Sequence, residues 1–336
     1  METINYVERH LQTVSLFSGA GGLDLGFLNA GFNIIWSNDF DKYAVKSYRA
    51  NIGEHIVEGD IAEIWEQMPE HQVLIGGFPC QPFSMMGHQK GFDDERGTLF
   101  FTIEKILERH NPNIIVLENV KGLETHNNGS TFQKMKYILE QKLKYKIFWK
   151  VLNTADFGIP QIRRRLFIVG FREEFYEENE IEFDFPDKIP LTKKNNVRAL
   201  LDERVDKKYF LSERILPTIL ANGSGNYYSK SEINLNIARP LCATMHKMHR
   251  ANQDNYYTDI ENRAKFTDEE ERPISNVRRL TPNECRKLQG FPSGWLQVVS
   301  DSQAYRQFGN AVTVDVAYHL AMAIVNSLNI ELQIER

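Results

Sequence analysis

Hydrophobic positions along the first half of the chain fall into two alternating patterns. Four short runs are mainly apolar: "TVSLF" (Thr13–Phe17), "NIIWS" (Asn33–Ser37), "QVLIGG" (Gln72–Gly77) and "NIIVLEN" (Asn113–Asn119). Mainly apolar runs of this length predict strands buried on both faces rather than half-exposed ones. Between them the spacing changes. Gly21–Asn29 and Asp41–Arg49 read as helices, and Leu99, Phe100, Ile103, Ile106 and Leu107 recur at helical intervals. Phe132, Met135, Ile138, Leu139 and Leu143 do the same after Glu118, and "RLFIVG" (Arg165–Gly170) closes the series. Strands alternating with helices predict an α/β fold, with a mainly parallel sheet covered on both faces. In such a sheet the ligand crevice lies beyond the carboxyl ends of the strands.

The alternation stops at Glu173. The stretch "EEFYEENEIEFD" carries seven acids in twelve residues, which predicts a solvated segment at a domain boundary. Mixed signals follow to about Pro273, including the glycine-rich "NGSGN" (Asn222–Asn226). From Ile233 to Gln253 there is no acid, while Arg239, His246, Lys247, His249 and Arg250 cluster. A second acidic run, Asp268–Glu271, precedes "TPNECRKLQ", where Thr281 and Glu284 have the spacing of a helix capping box. Val312–Leu328 reads as a last apolar helix, long enough to pack back onto the first domain. The expected organisation is one large domain of residues 1–184 plus 300–336, and a smaller one of residues 185–299.

Composition narrows the class. With 336 residues, 42% of them hydrophobic and 25% charged, the chain has core enough for a large domain and a smaller companion. No apolar run is expected to cross a membrane, and the polar, acidic Met1–His10 does not read as a signal peptide. Cys80, Cys242 and Cys285 are odd in number and far apart, so neither a disulfide framework nor a metal-ligand pair is expected, and the default setting is cytoplasmic. The net charge of −5 argues against a generally basic nucleic-acid binder and leaves room for a local basic face.

Two segments carry candidate chemistry. "LFSGAGGLDLGF" (Leu16–Phe27) places a glycine-rich turn between the first strand and the first helix, where a backbone can approach a ligand closely. A nicotinamide site would want glycine at the sixth position of the motif, and Asp24 stands there instead. Asp39 follows the loop by about 20 residues, the distance at which an acid accepts hydrogen bonds from ribose hydroxyls. Asp60, ending the next strand, is placed to meet an adenine amine. These features point to an adenosine-containing cofactor without choosing between a dinucleotide and S-adenosylmethionine.

The second segment is "IGGFPCQPFS" (Ile75–Ser84), which holds Cys80 between Pro79 and Pro82 at the end of an apolar strand. Prolines restrict the loop and preorganise the thiol, and cysteine is intrinsically a strong nucleophile. Glu118 ends the neighbouring strand, so a carboxyl beside the thiol is expected. Arg163 and Arg165, two residues apart in "QIRRRLFIVG", are expected on one face of a strand, with Arg164 facing away. Cys242 and Cys285 read as packing residues.

In their order along the chain, "LFSGAGGLDLGF", "GGFPCQPFS", "ENV", "QIRRR", "RRLTPNECRKLQGFP" and "YRQFGNAVTVDVA" resemble the cytosine-C5 DNA methyltransferases, from Thr13 to about Leu328. The resemblance implies a Rossmann-like methyltransferase fold with a smaller, irregular target-recognition domain. It implies methyl transfer from S-adenosyl-L-methionine, leaving S-adenosyl-L-homocysteine, to C5 of a cytosine flipped out of double-stranded DNA. Cys80 would be the nucleophile that adds to C6, Glu118 the stabiliser of a protonated N3, and Arg163 with Arg165 the supports of the base and the cysteine region. By motif the cofactor contacts would be Phe17, Gly19, Gly21, Asp39, Phe40, Asp60, Ile61, Pro79, Leu99, Asn310 and Ala311. Asp39 departs from the glutamate usual in the family and leaves the carboxylate one methylene shorter. Ser84 to about Thr98 would close over the base, and no metal is expected.

The same resemblance assigns sequence reading to roughly Phe185–Ser275, with Ser84, Arg239, Lys247 and Arg250 as DNA contacts. Its partners would be double-stranded DNA and a restriction endonuclease acting on the same sequence without stable binding, with the protein itself a monomer in the cytoplasm. A transfer-RNA methyltransferase of the same fold would carry a Cys-Phe-Thr motif that this chain lacks. A catalytically dead relative is disfavoured by the retained Cys80, Glu118 and both arginines.

Overall fold

The computed structural model describes residues 11–78, 99–189, 191–192, 195–221, 223–224, 227–228, 232–247, 249–259 and 274–328. The chain divides into two compact units, one of Met1–Asn153, Arg164–Asp187 and Val316–Arg336, the other of Thr154–Arg163 and Lys188–Asp315.

The first unit is built on a seven-stranded sheet of β1 (Gln12–Leu16), β2 (Asn33–Asp39), β3 (Ile56–Glu58), β4 (Val73–Gly77), β5 (Ile114–Val120), β6 (Tyr145–Asn153) and β7 (Arg164–Arg172), in the order β3-β2-β1-β4-β5-β7-β6. The first five strands pair in parallel, and β7 runs antiparallel to both of its neighbours, β5 and β6. The mainly apolar runs become central strands because both faces are covered. Val14, Leu16, Leu74, Ile115, Leu117, Leu166 and Ile168 are all buried, and Phe100, Ile103, Ile106 and Leu107 of the helix Leu99–His110 pack against them.

The last helix, Val314–Ser327, joins this unit from Val316 onward, as its apolar pattern led one to expect. A Cβ on Gly26 would lie 2.3 Å from the Ala317 Cβ, so only glycine lets the first and last helices approach this closely. The stretch Asp301–Ser327 has the length and mean hydropathy of a membrane span by composition, but it comprises two helices, Asp301–Asn310 and Val314–Ser327, and 61% of its apolar window is buried in the structure, as in a core helix.

Two expectations are corrected here. The acidic run after Glu173 is not simply solvated: Phe175, Ile181 and Phe183 are buried among the acids. Phe183 packs against Phe148 and Phe171, with ring centroids 5.3 and 5.5 Å away. The run therefore covers one face of β6 and β7, with its carboxylates turned outward. The arginines Arg163 and Arg165 do not share a strand face either, because β7 begins at Arg164 and Arg163 belongs to the second unit.

The second unit has short elements and little sheet. Phe210–Ser212, Ile274–Arg279 and Tyr256–Thr258 pair antiparallel, with Ile274–Arg279 in the middle. One apolar cluster gathers Leu211, Ile219, Tyr256 and Val277, and Leu241, Leu280, Leu288, Phe291 and Phe308 are buried as well. Buried polar side chains add directional ties between its loops. The Arg163 guanidinium, 2% exposed, donates to the carbonyls of Leu241, Gly309, Asn310 and Ala311. Gln161 donates to Leu288 O at 2.7 Å and accepts from Leu241 N at 2.9 Å, which ties the segment before β7 to two distant loops.

The capping box at Thr281 and Glu284 forms as the sequence predicts. Glu284 does more than cap, since its carboxylate also accepts two bonds of 2.8 Å from Arg278 and one from Asp202 N. Cys285 is fully buried as expected, and burial pushes its thiol well above the ordinary value. Cys242 is half-buried rather than a core residue.

Candidate active site

Strand β1 ends in a tight glycine turn. Phe17, Gly19 and Gly21 all have positive φ (56°, 58° and 88°), and Gly21 N donates to Ser18 O at 2.8 Å. A side chain at Gly21 is disfavoured by its φ of 88°, and a Cβ there would lie 2.1 Å from Ile52 Cδ1 and 3.1 Å from the Tyr48 ring. Around Gly19 a Cβ would meet nothing within 4 Å, so the turn presents bare backbone to open space. The helix Gly22–Asn29 begins directly after it with no side-chain cap. Unpaired N–H groups at such a helix start attract electron-rich ligand groups.

Asp39 lies at the end of β2, 8% exposed. Each carboxylate oxygen accepts one backbone bond of 2.8 Å, Oδ2 from Gly19 N and Oδ1 from Asp41 N. Burial raises its pKa, and those two N–H donors oppose the rise. The short side chain is thus fixed in direction and keeps acceptor capacity for hydroxyl donors. Phe40 beside it is 71% exposed, an unusual state for a large aromatic ring. Asp60 caps the next helix by accepting from Ala62 N at 2.9 Å, and Ile61 is buried behind it. A bare-backbone turn, a fixed acid twenty residues on and an exposed ring together fit an adenosine-type cofactor. Leu99 opens the helix Leu99–His110, and Asn310 and Ala311 lie in the second unit, where their carbonyls accept from Arg163.

A second group of residues gathers where β4 and β5 end. Gly77 pairs with Glu118, and a Cβ on Gly77 would lie 3.0 Å from Glu118 Oε2. The glycine clears the space that the carboxylate occupies. Arg165 closes the other side, its Nε 3.0 Å from Glu118 Oε1, with the two side chains 23% and 11% exposed. Asn119 donates to Phe78 O at 3.0 Å and fixes the last described residue before the Pro79–Cys80 segment. Pro79, Cys80, Ser84 and the expected closing loop to Thr98 lie outside the described residues.

The structure therefore brings Glu118 and Arg165 together and commits the Arg163 side chain to carbonyl acceptors within its own, second unit. Among the expected DNA contacts, Arg250 is committed internally, to Thr244 Oγ1, Gln253 Oε1 and the Asp254 carboxylate at 2.6–2.8 Å. Arg239 donates to Glu232 O and Asp254 O, and Lys247 is exposed. No group of three or more metal-ligating side chains occurs among the described residues.

Sequence reading passed over Asp24 except as a break in a glycine motif. It is fully buried and accepts from Ser15 Oγ at 2.7 Å, Tyr48 OH at 2.8 Å and Ser37 Oγ at 3.0 Å. The serines that end "TVS" and "NIIWS" were the available signal, because a hydroxyl inside an apolar strand must find a buried partner.

Comparison with known proteins gives one consistent result. The sequence profile of the family described as C-5 cytosine-specific DNA methylase matches residues 11–326. Type II methyltransferase M.DsaV of Dactylococcopsis salina is 38% identical over 331 residues, covering 96% of this chain and 88% of its own. Type II methyltransferase M.HhaI of Haemophilus parahaemolyticus is 33% identical over 335 residues, covering 95% of each chain. In three dimensions the S. pombe Dnmt2 methyltransferase superposes with a TM-score of 0.73 at 19% identity, over 95% of this chain and 99% of that one, which speaks to the fold. The strand order, the paired glycine and acid loops, and matches spanning nearly the whole chain make this protein a member of the C-5 cytosine-specific DNA methylase family, a DNA cytosine-5-methyltransferase.

Proposed function

We propose that the protein methylates cytosine within a specific duplex DNA sequence, using S-adenosylmethionine and a covalent attachment of the base to Cys80. The observation that carries this reading is the Glu118 carboxylate, held by Arg165 over the side-chain-free Gly77 at the strand end that leads to Cys80. A carboxylate steered this firmly at a sheet's carboxyl edge suits recognition of a base edge.

The target base cannot meet a thiol inside a duplex, so it is flipped out at a cost of a few kcal/mol. The Cys80 thiolate adds to C6, and the electron pair of the C5–C6 bond shifts toward C5. Glu118 supports a proton at N3, which makes C6 a better acceptor of the thiolate, and Arg165 keeps Glu118 in place. When bound, S-adenosylmethionine supplies the electrophilic methyl group that C5 acquires, and departs as S-adenosylhomocysteine. Loss of the C5 proton to a base then restores the double bond and expels Cys80. Phe17–Gly21, Asp39, Phe40, Asp60 and Ile61 would hold the cofactor, Asp39 through ribose hydroxyls and Phe40 through the adenine face. Arg163 acts at a distance in this reading, by fixing the Gly309–Ala311 turn that carries Asn310.

The region of residues 185–299 reads the DNA, with Lys247 offering an exposed ammonium to phosphate. Because the relatives are named as Type II methyltransferases, a cytoplasmic monomer that shields host DNA from a restriction endonuclease is the setting we infer. Base-resolution methylcytosine sequencing of a plasmid from methylation-free cells tests the reading. Methylcytosine at one short recurring sequence is expected with the wild type and at none with Cys80→Ser. Equal methylation in both would overturn the covalent step, and none in either would overturn DNA as the substrate.

A further inference from the structure

We infer that Asp24 is the positioning residue for the cofactor turn, a buried anchor that sets methyl-donor affinity rather than the rate of the chemical step. This rests on the cofactor reading given above and extends it to a residue that touches no ligand.

The argument starts from what surrounds the carboxylate. Asp24 sits in the first turn of the helix Gly22–Asn29 and is wholly buried, with hydroxyl groups as its hydrogen-bond donors. Ser15 reaches it from β1, Ser37 from β2, and Tyr48 from the helix Lys42–Asn51. One side chain thus ties together the neighbouring strands β1 and β2 and the two helices that frame the glycine turn. Burial alone pushes this carboxyl upward, and the three hydroxyls act against it. The Tyr48 hydroxyl is itself pushed well above its ordinary value by burial, so it remains a proton donor at any working pH.

Two routes lead from this anchor to the turn. Ser15 Oγ, donating to Asp24, accepts from Ser18 Oγ at 2.9 Å, and Ser18 O in turn accepts from Gly21 N. The Tyr48 ring forms the second route. Its edge carbons would lie 3.1 Å from a Gly21 Cβ, so the ring supports the turn from beneath while its hydroxyl holds Asp24. The turn needs such support, since Phe17 lies in the left-handed region that a side chain disfavours (φ 56°). The network also explains the broken glycine motif. Dinucleotide folds use a third glycine for close helix–strand packing, whereas here a carboxylate bridges helix and strands through hydrogen bonds. Outside the turn, Tyr48 OH lies 3.0 Å from Nε2 of the half-buried His55, which continues the chain of contacts toward the surface.

Asp24→Asn keeps the volume and replaces one acceptor oxygen with a donor that faces hydroxyl donors. The expected result is faster amide exchange at Ser18–Gly21 in the ligand-free protein. Dissociation constants for S-adenosylmethionine and S-adenosylhomocysteine should rise about tenfold or more, the worth of a buried hydrogen bond to a charged group. DNA affinity and kcat at saturating donor should stay within about twofold, since neither uses the turn's position directly. Tyr48→Phe, which deletes one donor and keeps the ring, should give a smaller rise of about threefold; it also carries the test if Asp24→Asn does not fold. Wild-type donor affinity in a folded Asp24→Asn or in Tyr48→Phe would overturn the inference, as would a loss confined to kcat. If the wild type itself bound neither adenosyl compound, the cofactor reading would fail, while the exchange measurement would still report whether Asp24 anchors the turn.

Discussion

The two units solve the same problem with different materials. In the first, a broad sheet is sandwiched by apolar side chains, and strands such as β5 are buried along most of their length. In the second, the described strands are two to six residues long, and buried polar side chains bind loops together by their carbonyls beside the apolar packing. Apolar packing is nondirectional and tolerates substitution by volume. A guanidinium shared among four carbonyls is directional and fails as a whole when removed. The lesson is that a region with little sheet can order its loops by adding directional polar ties to its apolar packing.

The sharpest way to break the comparison is Arg163→Met. It should cost the second unit about 3–5 kcal/mol, because four carbonyls, those of the buried Leu241 and Gly309 among them, lose a charged donor together. Residue-resolved hydrogen exchange should show the loss at 241 and 309–311, and wild-type protection there would contradict the framework. In the first unit Leu117→Ala, at a fully buried position, should cost about 3 kcal/mol by transfer and cavity formation, read from urea unfolding. Unlike Arg163→Met, it should be largely recovered by Leu117→Met.

A pH effect of about 2–3 kcal/mol is expected to belong to the first unit. His71 is buried and pushed down to about 4 by desolvation, and His110, whose ring centroid is 5.1 Å from that of His71, is lowered for the same reason. Burial disfavours the charged form of both, and the exposed Glu70, 3.7 Å from His110 Nδ1, opposes this while Arg109 adds to it at His110. On acidification the unfolded chain takes up protons first, below the ordinary 6.5, so stability should fall between pH 6.5 and about 4. His71→Gln should flatten that slope in a urea titration; an unchanged slope would remove the pair as its source. The smallest effect should come from Thr281→Ala, about 1 kcal/mol through loss of the helix cap, measured as a shift in thermal midpoint.

How much was legible in the sequence follows the same division. Strands β1, β2, β4 and β5 could be read because mainly apolar runs have one physical explanation in an α/β chain. Strand β6 was not read, since an edge strand carries exposed lysines, here Lys146 and Lys150, among its apolar residues. The antiparallel direction of β7 leaves no trace in hydrophobic spacing. Phe175, Ile181 and Phe183 were hidden by the acids around them, because charge density was weighed above an apolar pattern. At the site, the pairing of Glu118 with Gly77 at the end of β4 followed from strand adjacency, while Cys80 lies outside the described residues. The roles of Asp24, Gln161 and Arg163 did not, because each depends on which carbonyl or hydroxyl the fold carries to it.

The first unit is assembled from three stretches of chain, the last of which begins at Val316. A ribosome delivers these pieces in order. The glycine turn and sheet strands emerge early, yet Gly26 must wait for Ala317, nearly three hundred residues later, before its helix is covered. A chain stopped at residue 315 would retain every residue assigned above to chemistry or cofactor. It would still leave Gly26 and the back of the helix Gly22–Asn29 uncovered, so that face stays open until the final helix emerges.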